Sequence, residues 1–234
     1  MRNISACILV CIVSINSSLS SQENRYSVSI VGSFTTTSKL FRALNDANES
    51  MRNQFLPIDN IFGGGVEIRR NFEDSRIQVG LNIEYLAKTE QLTRTTSQEI
   101  RILVKDGFRA LLIELSAYFK IPIGLENLFF YMGGGAGLYF GDRQYEESGV
   151  KSKIVELKPA VGIQILCEAE YLLSNRISFR SELKFRDVHF ESMNKFFQNT
   201  ALYNNTYVWL PSEEMHSRIN IEGMILNLGM AFHF

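Results

Sequence analysis

The chain has 234 residues, a formal net charge of −1, 45% hydrophobic residues and 16 glycines. This size and composition fit one domain of barrel or sandwich size and exclude a disordered chain. The balanced charge lacks the basic excess typical of nucleic-acid binding, so no nucleic-acid partner is expected.

The N-terminus has the pattern of a secretory signal peptide. Arg2 precedes an apolar run over residues 4–15, and small residues follow at 18–20, where a signal peptidase would cleave. The run is shorter than the ~20 apolar residues that a spanning helix needs, so an uncleaved anchor is the weaker alternative. We predict a cleaved signal peptide over residues 1–20 and one domain over residues 21–234.

Eight later segments alternate apolar and polar residues with a period of two, which indicates strands with two unlike faces. The predicted strands, in chain order, span residues 26–34, 61–70, 76–85, 108–121, 128–141, 157–172, 177–186 and 223–234. The connection between the first two is predicted to be a long loop with a turn of helix around Leu40, Phe41 and Leu44.

The connections between these strands alternate in length. Short turns are predicted at residues 71–75, 122–127 and 174–176, and long loops lie between them. Barrels of the bacterial outer membrane have short periplasmic turns, long external loops and an even number of strands. The pattern therefore predicts an all-β fold, an eight-stranded antiparallel up-and-down transmembrane β-barrel with short periplasmic turns and long extracellular loops.

One face of each predicted strand is apolar, and the other carries charges of both signs. We expect the apolar face to contact lipid, with Leu81, Ile113, Ile163, Leu183 and Leu228 near mid-membrane. Charges removed from water must pair, so the opposite face is expected to form a charge network that fills the lumen. Its predicted members are Glu67, Arg69, Arg76, Glu84, Glu114, Lys120, Glu168, Glu170, Arg180, Glu182, Lys184 and Arg186. A soluble lipocalin-type barrel with its apolar face inward is the alternative that alternation alone leaves open.

Aromatic residues fall near both ends of the predicted strands, as expected of interfacial belts. The predicted outer belt comprises Phe34, Phe62, Tyr85, Phe108, Tyr139 and Phe185. The predicted periplasmic belt comprises Tyr26, Phe72, Phe119, Phe129, Tyr171, Phe179 and Phe234.

Three stretches carry a resemblance to a known family: the glycine-rich residues 131–137, the hairpin 170–178 and the ending 228–234. On them the chain resembles the small eight-stranded outer-membrane barrels of the OmpA-transmembrane, OmpX and OmpW type. The resemblance implies residence in the bacterial outer membrane as a monomer that contacts membrane lipid and the barrel-assembly machinery. It also implies that the closing aromatics Phe232 and Phe234 act as an assembly signal.

The residues indicate no catalytic, cofactor or metal site. The histidines, His189, His216 and His233, lack metal-ligand spacing. The neighbours His216 and Ser217 point to opposite faces if they lie on a strand, which disfavours a nucleophile–base pair. A structural or surface-interaction role is therefore expected. The alternatives are a conductor of small solutes or ions and, less favoured, a lipid-modifying enzyme.

The connection after the seventh predicted strand is rich in aromatic residues. Exposed aromatic patches mark interaction sites, whereas long ordered loops usually bury their own side chains. The sequence favours packing within the loop and leaves binding to a partner as the alternative. The candidate interaction patch comprises Phe196, Phe197, Tyr203, Tyr207 and Trp209. Its expected partner is a protein or glycan outside the cell.

Overall fold

The computed structural model describes residues 25–72, 76–95, 99–123 and 125–234. The predicted signal peptide lies outside these ranges and stays a prediction. The elements in chain order are β1 (Tyr26–Phe41), α1 (Glu49–Arg52), β2 (Phe55–Asn71), β3 (Ile77–Thr95), β4 (Arg101–Ile121), β5 (Leu128–Glu147), β6 (Val150–Lys151), β7 (Lys153–Lys158), β8 (Ala160–Ser174), β9 (Ile177–Lys195), β10 (Thr200–Tyr203), β11 (Thr206–Trp209) and β12 (Met215–His233). Among the described residues, no helix has the length and apolarity needed to cross a membrane.

Eight of the strands form a closed antiparallel ring. Their order is β1, β2, β3, β4, β5, β8, β9 and β12, and β12 pairs back onto β1. At this seam the backbone N–H of Tyr26 donates to Phe234 and that of Phe234 donates to Tyr26, both at 2.9 Å. The predicted eight-stranded up-and-down barrel, closed by its first and last strands, is confirmed.

The strands extend past their predicted ends on one side of the barrel only. The connections β2–β3, β4–β5 and β8–β9 are short and lie at one end, here called the short-turn end. At the opposite, long-strand end, the predicted helical turn near Leu40 is wrong, because Leu40 and Phe41 pair with Leu56 and Phe55 inside the β1–β2 ladder. Leu40 is fully buried among the strand extensions, and this burial explains why the segment continues the strand instead of forming a helical turn.

Outward and inward side chains alternate along the wall as predicted. Leu81, Ile163 and Leu228 are exposed on the outside, and Ile113 and Leu183 are half-buried there. In the short-turn half of the barrel most inward side chains are charged or polar and buried, and Tyr118, Tyr131 and Leu166 pack together among them. That arrangement is the reverse of a lipocalin-type interior, so the soluble alternative is excluded.

Two predicted members of the outer aromatic belt face the wrong way. Phe108 and Tyr139 point into the barrel and are fully buried, because the interior turns apolar at their level. They belong to the middle apolar cluster, which comprises Leu40, Ile58, Ile61, Leu86, Phe108, Ala110, Leu112, Tyr139, Val188, Phe190, Ile219 and Ile221. Phe108 packs edge-on against Phe190 with 6.4 Å between ring centroids.

The long-strand end has a second apolar core of its own, the outer apolar cluster. It comprises Ile102, Val104, Tyr145, Phe196, Ala201, Val208 and Leu210. Between the two apolar clusters, buried Arg143 donates to both carboxylate oxygens of Asp106 at 2.7 and 2.6 Å. The interior thus changes, from the short-turn end outward, from charged to apolar, to polar and to apolar again.

Candidate functional site

Arg69 is a central member of the charged interior. From β2 it donates to both carboxylate oxygens of Glu168 on β8 at 2.6 and 2.5 Å. Its Nε lies 2.7 Å from Glu67, and its guanidinium carbon lies 3.7 Å from the centroid of the Tyr118 ring. The Tyr118 hydroxyl donates to Glu67 at 2.6 Å. The bidentate pair with Glu168 and the stacking on Tyr118 together hold the planar guanidinium of Arg69 in one orientation.

A second group of charges lies one level closer to the middle apolar cluster. Lys184 Nζ is 3.0 Å from Glu114 and 3.2 Å from Glu182. Arg186 Nη2 is 2.7 Å from Glu84, and its Nε is 2.8 Å from Glu114. Each carboxylate in this group therefore faces a cation, as charges out of bulk water require.

The third group lies towards the short-turn end. Arg180 donates to Glu170 at 2.8 Å and to the hydroxyls of Ser29 and Ser27 at 2.7 and 2.9 Å. Glu170 also accepts from Ser178 at 2.6 Å. The three serines come from β1 and β9, and Glu170 lies on β8, so the group ties β1 to β8 and β9 across the intervening β12.

Ten of the twelve predicted network residues are buried together in the interior: Glu67, Arg69, Glu84, Glu114, Glu168, Glu170, Arg180, Glu182, Lys184 and Arg186. We call this set the ion network. The other two do not join it. Arg76 is exposed and Lys120 is half-buried, with its ammonium 3.8 Å from the Phe129 ring centroid. Both lie at strand ends beside the short turns, where water reaches the side chain.

Sequence reasoning missed the uncharged members of this interior. The Tyr139 hydroxyl donates to Glu114 at 2.8 Å, and Asn227 donates to Glu182 at 2.7 Å. Strand parity could have found two others, since Tyr118 has the parity of Glu114 on β4 and Asn82 has the parity of Glu84 on β3. It gives no such signal for Tyr139 and Asn227, because β5 and β12 carry none of the predicted network charges. A cavity of about 20 Å³ lies among these groups, room for about one water.

The predicted loop patch splits between two faces of a β-hairpin formed by β10 and β11. Ala201 and Val208, opposite each other in this hairpin, are buried, and Phe196 and Tyr203 pack with them into the outer apolar cluster. On the other face Leu202 lies opposite Tyr207, and Trp209 follows on the same side. These three side chains, here called the aromatic face, are 60, 69 and 69% exposed, and Phe197 nearby in sequence is 68% exposed.

The remaining polar groups at the long-strand end have structural partners. The Ser217 hydroxyl is buried and accepts from Arg143 at 3.1 Å, while its neighbour His216 is half-buried on the other face. Burial, with Glu147 adding to it, raises the pKa of Tyr145 to about 12. Its hydroxyl therefore stays protonated and donates to Glu147 at 2.8 Å. Within the described ranges no group of three His, Cys, Asp or Glu residues is placed to hold a metal ion.

No protein-family model matches the sequence, and no curated protein matches it either. Solved structures do resemble the fold. The outer membrane protein OprG from Pseudomonas aeruginosa aligns with a TM-score of 0.57 and 11% identity over 93% of this chain and 99% of that one. A major outer membrane protein from Thermus thermophilus gives 0.49 and 10% over 89% and 99%. Neisserial surface protein A gives 0.48 and 11% over 89% and 97%.

The fold assignment rests on the OprG alignment and on the closed ring of eight strands. In such barrels the short turns lie in the periplasm and the long connections lie outside the cell. The short-turn end is thus the periplasmic end, and the long-strand end is the extracellular end. The chain has the fold of the small eight-stranded outer-membrane β-barrels.

Proposed function

We propose that this protein is a non-catalytic barrel of the bacterial outer membrane that binds a partner outside the cell through the aromatic face of its β10–β11 hairpin. The observation that carries the proposal is the split of the predicted patch. One side of the hairpin is anchored in the outer apolar cluster, and the other presents Leu202, Tyr207 and Trp209 to solvent.

An anchored hairpin is a good interaction surface for two reasons. Trp and Tyr are enriched among the residues that dominate binding energy, and their rings have few torsions to immobilise. Because Val208 and Ala201 hold the hairpin against the outer apolar cluster, its backbone is already ordered before a partner arrives. Less ordering entropy is then lost on binding. The partner we propose is an extracellular protein or glycan.

The filled interior supports an interaction role over conduction. An eight-stranded barrel is just wide enough for side chains to fill it. Here the ion network occupies the periplasmic half, and the middle apolar cluster lies above it. A hydrated ion would have to break paired charges and then cross a packed apolar layer, which is costly on both counts.

We also propose the accompanying envelope features. These are a cleaved signal peptide over residues 1–20, delivery as a monomer by the barrel-assembly machinery, and recognition of Phe232 and Phe234 during that delivery. The position of Phe234 supports the last point: its backbone completes the β1–β12 seam, and its ring stacks on Tyr26 at 6.2 Å.

The test compares the protein in lipid nanodiscs with a variant carrying Tyr207→Ser and Trp209→Ser. Binding is measured to a glycan array and to immobilised extracellular-matrix and serum proteins. We expect saturable binding that the double variant loses. The control carries Leu103→Ser and Val155→Ser, exposed apolar positions elsewhere on the extracellular end, and should bind normally. Equal binding by all three proteins, or none by the wild type, would overturn the proposal, and stable unitary currents in planar bilayers would favour the conducting alternative.

A further inference from the structure

The ion network contains more carboxylates than cations. Six glutamates and four cations make up the set, and all ten side chains are buried. His233 lies beside them, with its Nε2 3.4 Å from Glu170, and even when it is protonated five cations face six carboxylates. An uncompensated charge out of bulk water is costly. The interior is therefore expected to take up positive charge from solution.

The excess of negative charge is largest where two carboxylates face each other. Glu168 on β8 lies directly opposite Glu182 on β9 in the strand register, and both side chains point inward. Like charges in such a position repel each other. Arg69 donates to both oxygens of Glu168, whereas its Nη2 lies 3.9 Å from Glu182. Glu182 is therefore the member of the pair that gains more from being neutralised.

The contacts of Tyr118 indicate which oxygen of Glu182 carries a proton. The Tyr118 hydroxyl lies 2.6 Å from Glu67 and 3.2 Å from Oε2 of Glu182. A phenol has one proton to donate, and this proton goes to the nearer oxygen, which belongs to Glu67. Oε2 of Glu182 then faces a lone pair of the phenol oxygen. That contact is favourable only when Oε2 itself carries a proton and donates it to Tyr118.

The other oxygen of Glu182 has the partners of a carbonyl oxygen. Its Oε1 accepts from Asn227 at 2.7 Å and lies 3.2 Å from Lys184 Nζ. A neutral carboxylic acid donates from one oxygen and accepts on the other, and the contacts of Glu182 have this pattern. The ionisable groups that face Glu182 are Glu67 and Arg69 from β2, Tyr118 from β4, Glu168 from β8, and Arg180 and Lys184 from β9.

The cavity beside these groups has more acceptors than donors. Asn82 and Asn227 line it, and each donates its amide N–H to a carboxylate, at 3.4 and 2.7 Å. Among the described residues, neither of the two buried amide oxygens has a hydrogen-bond donor. Three cationic side chains, Arg69, Arg180 and Lys184, line the same cavity. They would repel a metal ion, so a proton is the positive charge that suits this interior.

We propose that the barrel interior binds a proton at neutral pH, held on Oε2 of Glu182 and donated to Tyr118, which donates in turn to Glu67. The proton comes from water, and its site does not depend on the proposed function of the aromatic face. In the unfolded chain glutamates ionise near pH ~4.3, so at neutral pH the folded barrel binds one proton more. Its stability should therefore fall as the pH rises, until this proton leaves.

Infrared difference spectroscopy of the barrel in lipid vesicles tests the proposal, because a protonated carboxyl has a C=O stretch that an ionised carboxylate lacks. We expect this acid band in the wild type at neutral pH. It should be absent in Glu182→Gln and shifted in Tyr118→Phe, which removes the acceptor of the proton. Glu84→Gln, at another buried carboxylate of the network, is the matched control and should keep the band. Labelling the glutamate carboxyls with a heavy carbon isotope should shift the band in the wild type, so its assignment to a glutamate does not depend on the variants.

Urea unfolding in the same vesicles is the second measurement. Glu182→Gln keeps one acceptor and one donor in place, so its urea midpoint should match the wild type at neutral pH and should decline less as the pH rises. Glu168→Gln, the matched control across the strand pair, removes the bidentate partner of Arg69 and should lower the midpoint. Slower migration after boiling verifies that each variant is folded.

Three results would overturn the proposal. The first is a wild type without an acid band, and the second is a band that persists in Glu182→Gln. The third is a urea midpoint with the same pH dependence in both proteins. If the wild type lacks the band and its midpoint falls when sodium is replaced by choline, a metal ion supplies the positive charge instead.

Discussion

At the scale of single residues, a buried charge of the ion network and an exposed charge should differ in how much they contribute to the free energy of unfolding. Arg69→Met should lower the free energy of unfolding by about 3 to 5 kcal/mol, because it leaves Glu168 buried without its bidentate partner. Arg76→Met is the matched control, since Arg76 is exposed, and should change that free energy by less than about 0.5 kcal/mol. Urea unfolding in lipid vesicles measures both values, and similar losses in the two variants would contradict the geometry of the network.

Strand parity predicts which charges face inward but not how deep they lie. Arg76 and Lys120 have the same parity as Asn82 and Glu114, yet they sit at strand ends next to water. The belt prediction for Phe108 and Tyr139 is wrong for a different reason, because it rests on their place near strand ends alone, although Phe108 has the inward parity of Glu114. Which charge meets which across the lumen could not be predicted from sequence, because Arg69 and Glu168 lie 99 residues apart.

At the scale of whole strands, β4 offers a comparison of two environments on one face. Leu115 and Leu103 both point outward and are 57 and 41% exposed. Leu115 lies in the lipid belt, whereas Leu103 lies in the extension above it. Leu115→Arg should cost about 2 to 4 kcal/mol as a lipid-facing charge near mid-membrane, and Leu103→Arg should cost less than about 0.5 kcal/mol. Equal costs in vesicle unfolding would place the membrane boundary elsewhere.

A second pair of neighbours tests the outer apolar cluster. Phe196 is 2% exposed and Phe197 is 68% exposed. Phe196→Ala should destabilise the extracellular end by about 3 to 5 kcal/mol, the usual loss for a buried aromatic, while the barrel below keeps its resistance to heat and detergent. Protease cleavage on intact cells should therefore increase for Phe196→Ala and not for Phe197→Ala. Cleavage that rises equally in both would show that the cluster does not hold this end together.

The strand extensions were not predicted because the apolar face of the strands changes from outward to inward at the membrane surface. Within the lipid belt the outward residues are apolar and the inward ones are polar. Above it, Leu40, Ile102 and Val104 point inward while Lys39 and Lys105 point outward. The period of two continues, but a search for strands with an apolar outer face ends where that face becomes polar.

At the scale of the whole molecule, closure of the ring is the property most open to direct test. Ile30 and Met230 face each other across the β1–β12 seam, so cysteines at these positions in a Cys167→Ser background should crosslink with a lipid-soluble oxidant. Cysteines at Ile30 and Leu226, four residues out of register, should not. Crosslinking should require the folded form, and a seam that never crosslinks would refute closure.

The same seam makes the terminal residue decisive for assembly. Deleting Phe234 removes the last ladder pair with Tyr26 and exposes backbone groups that lipid cannot satisfy. The amount of protein reaching the outer membrane should fall well beyond what one lost ring contact implies. Fractionation with unboiled gels measures it, and normal levels of heat-modifiable protein would show that Phe234 carries no assembly signal.

The eight-strand count, the wall polarity and the seam were all predictable, because each follows from local periodicity and loop length. The stacked interior was not, since it depends on which inward side chains meet at one height after the strands tilt. Contacts between distant residues depend on which strands lie opposite each other, and the strands take those positions only when the ring has closed.

Two bonds of the ion network join strands on opposite sides of the ring. Arg69 on β2 holds Glu168 on β8, and Arg186 on β9 holds Glu84 on β3. In each case the two strands are four places apart in a circle of eight. The barrel is therefore braced internally along two neighbouring diameters. When the bilayer squeezes it sideways, flattening along those directions must compress or break charged contacts, whereas flattening at right angles to them meets less resistance. The cross-section should fluctuate as an ellipse of fixed orientation relative to the strands.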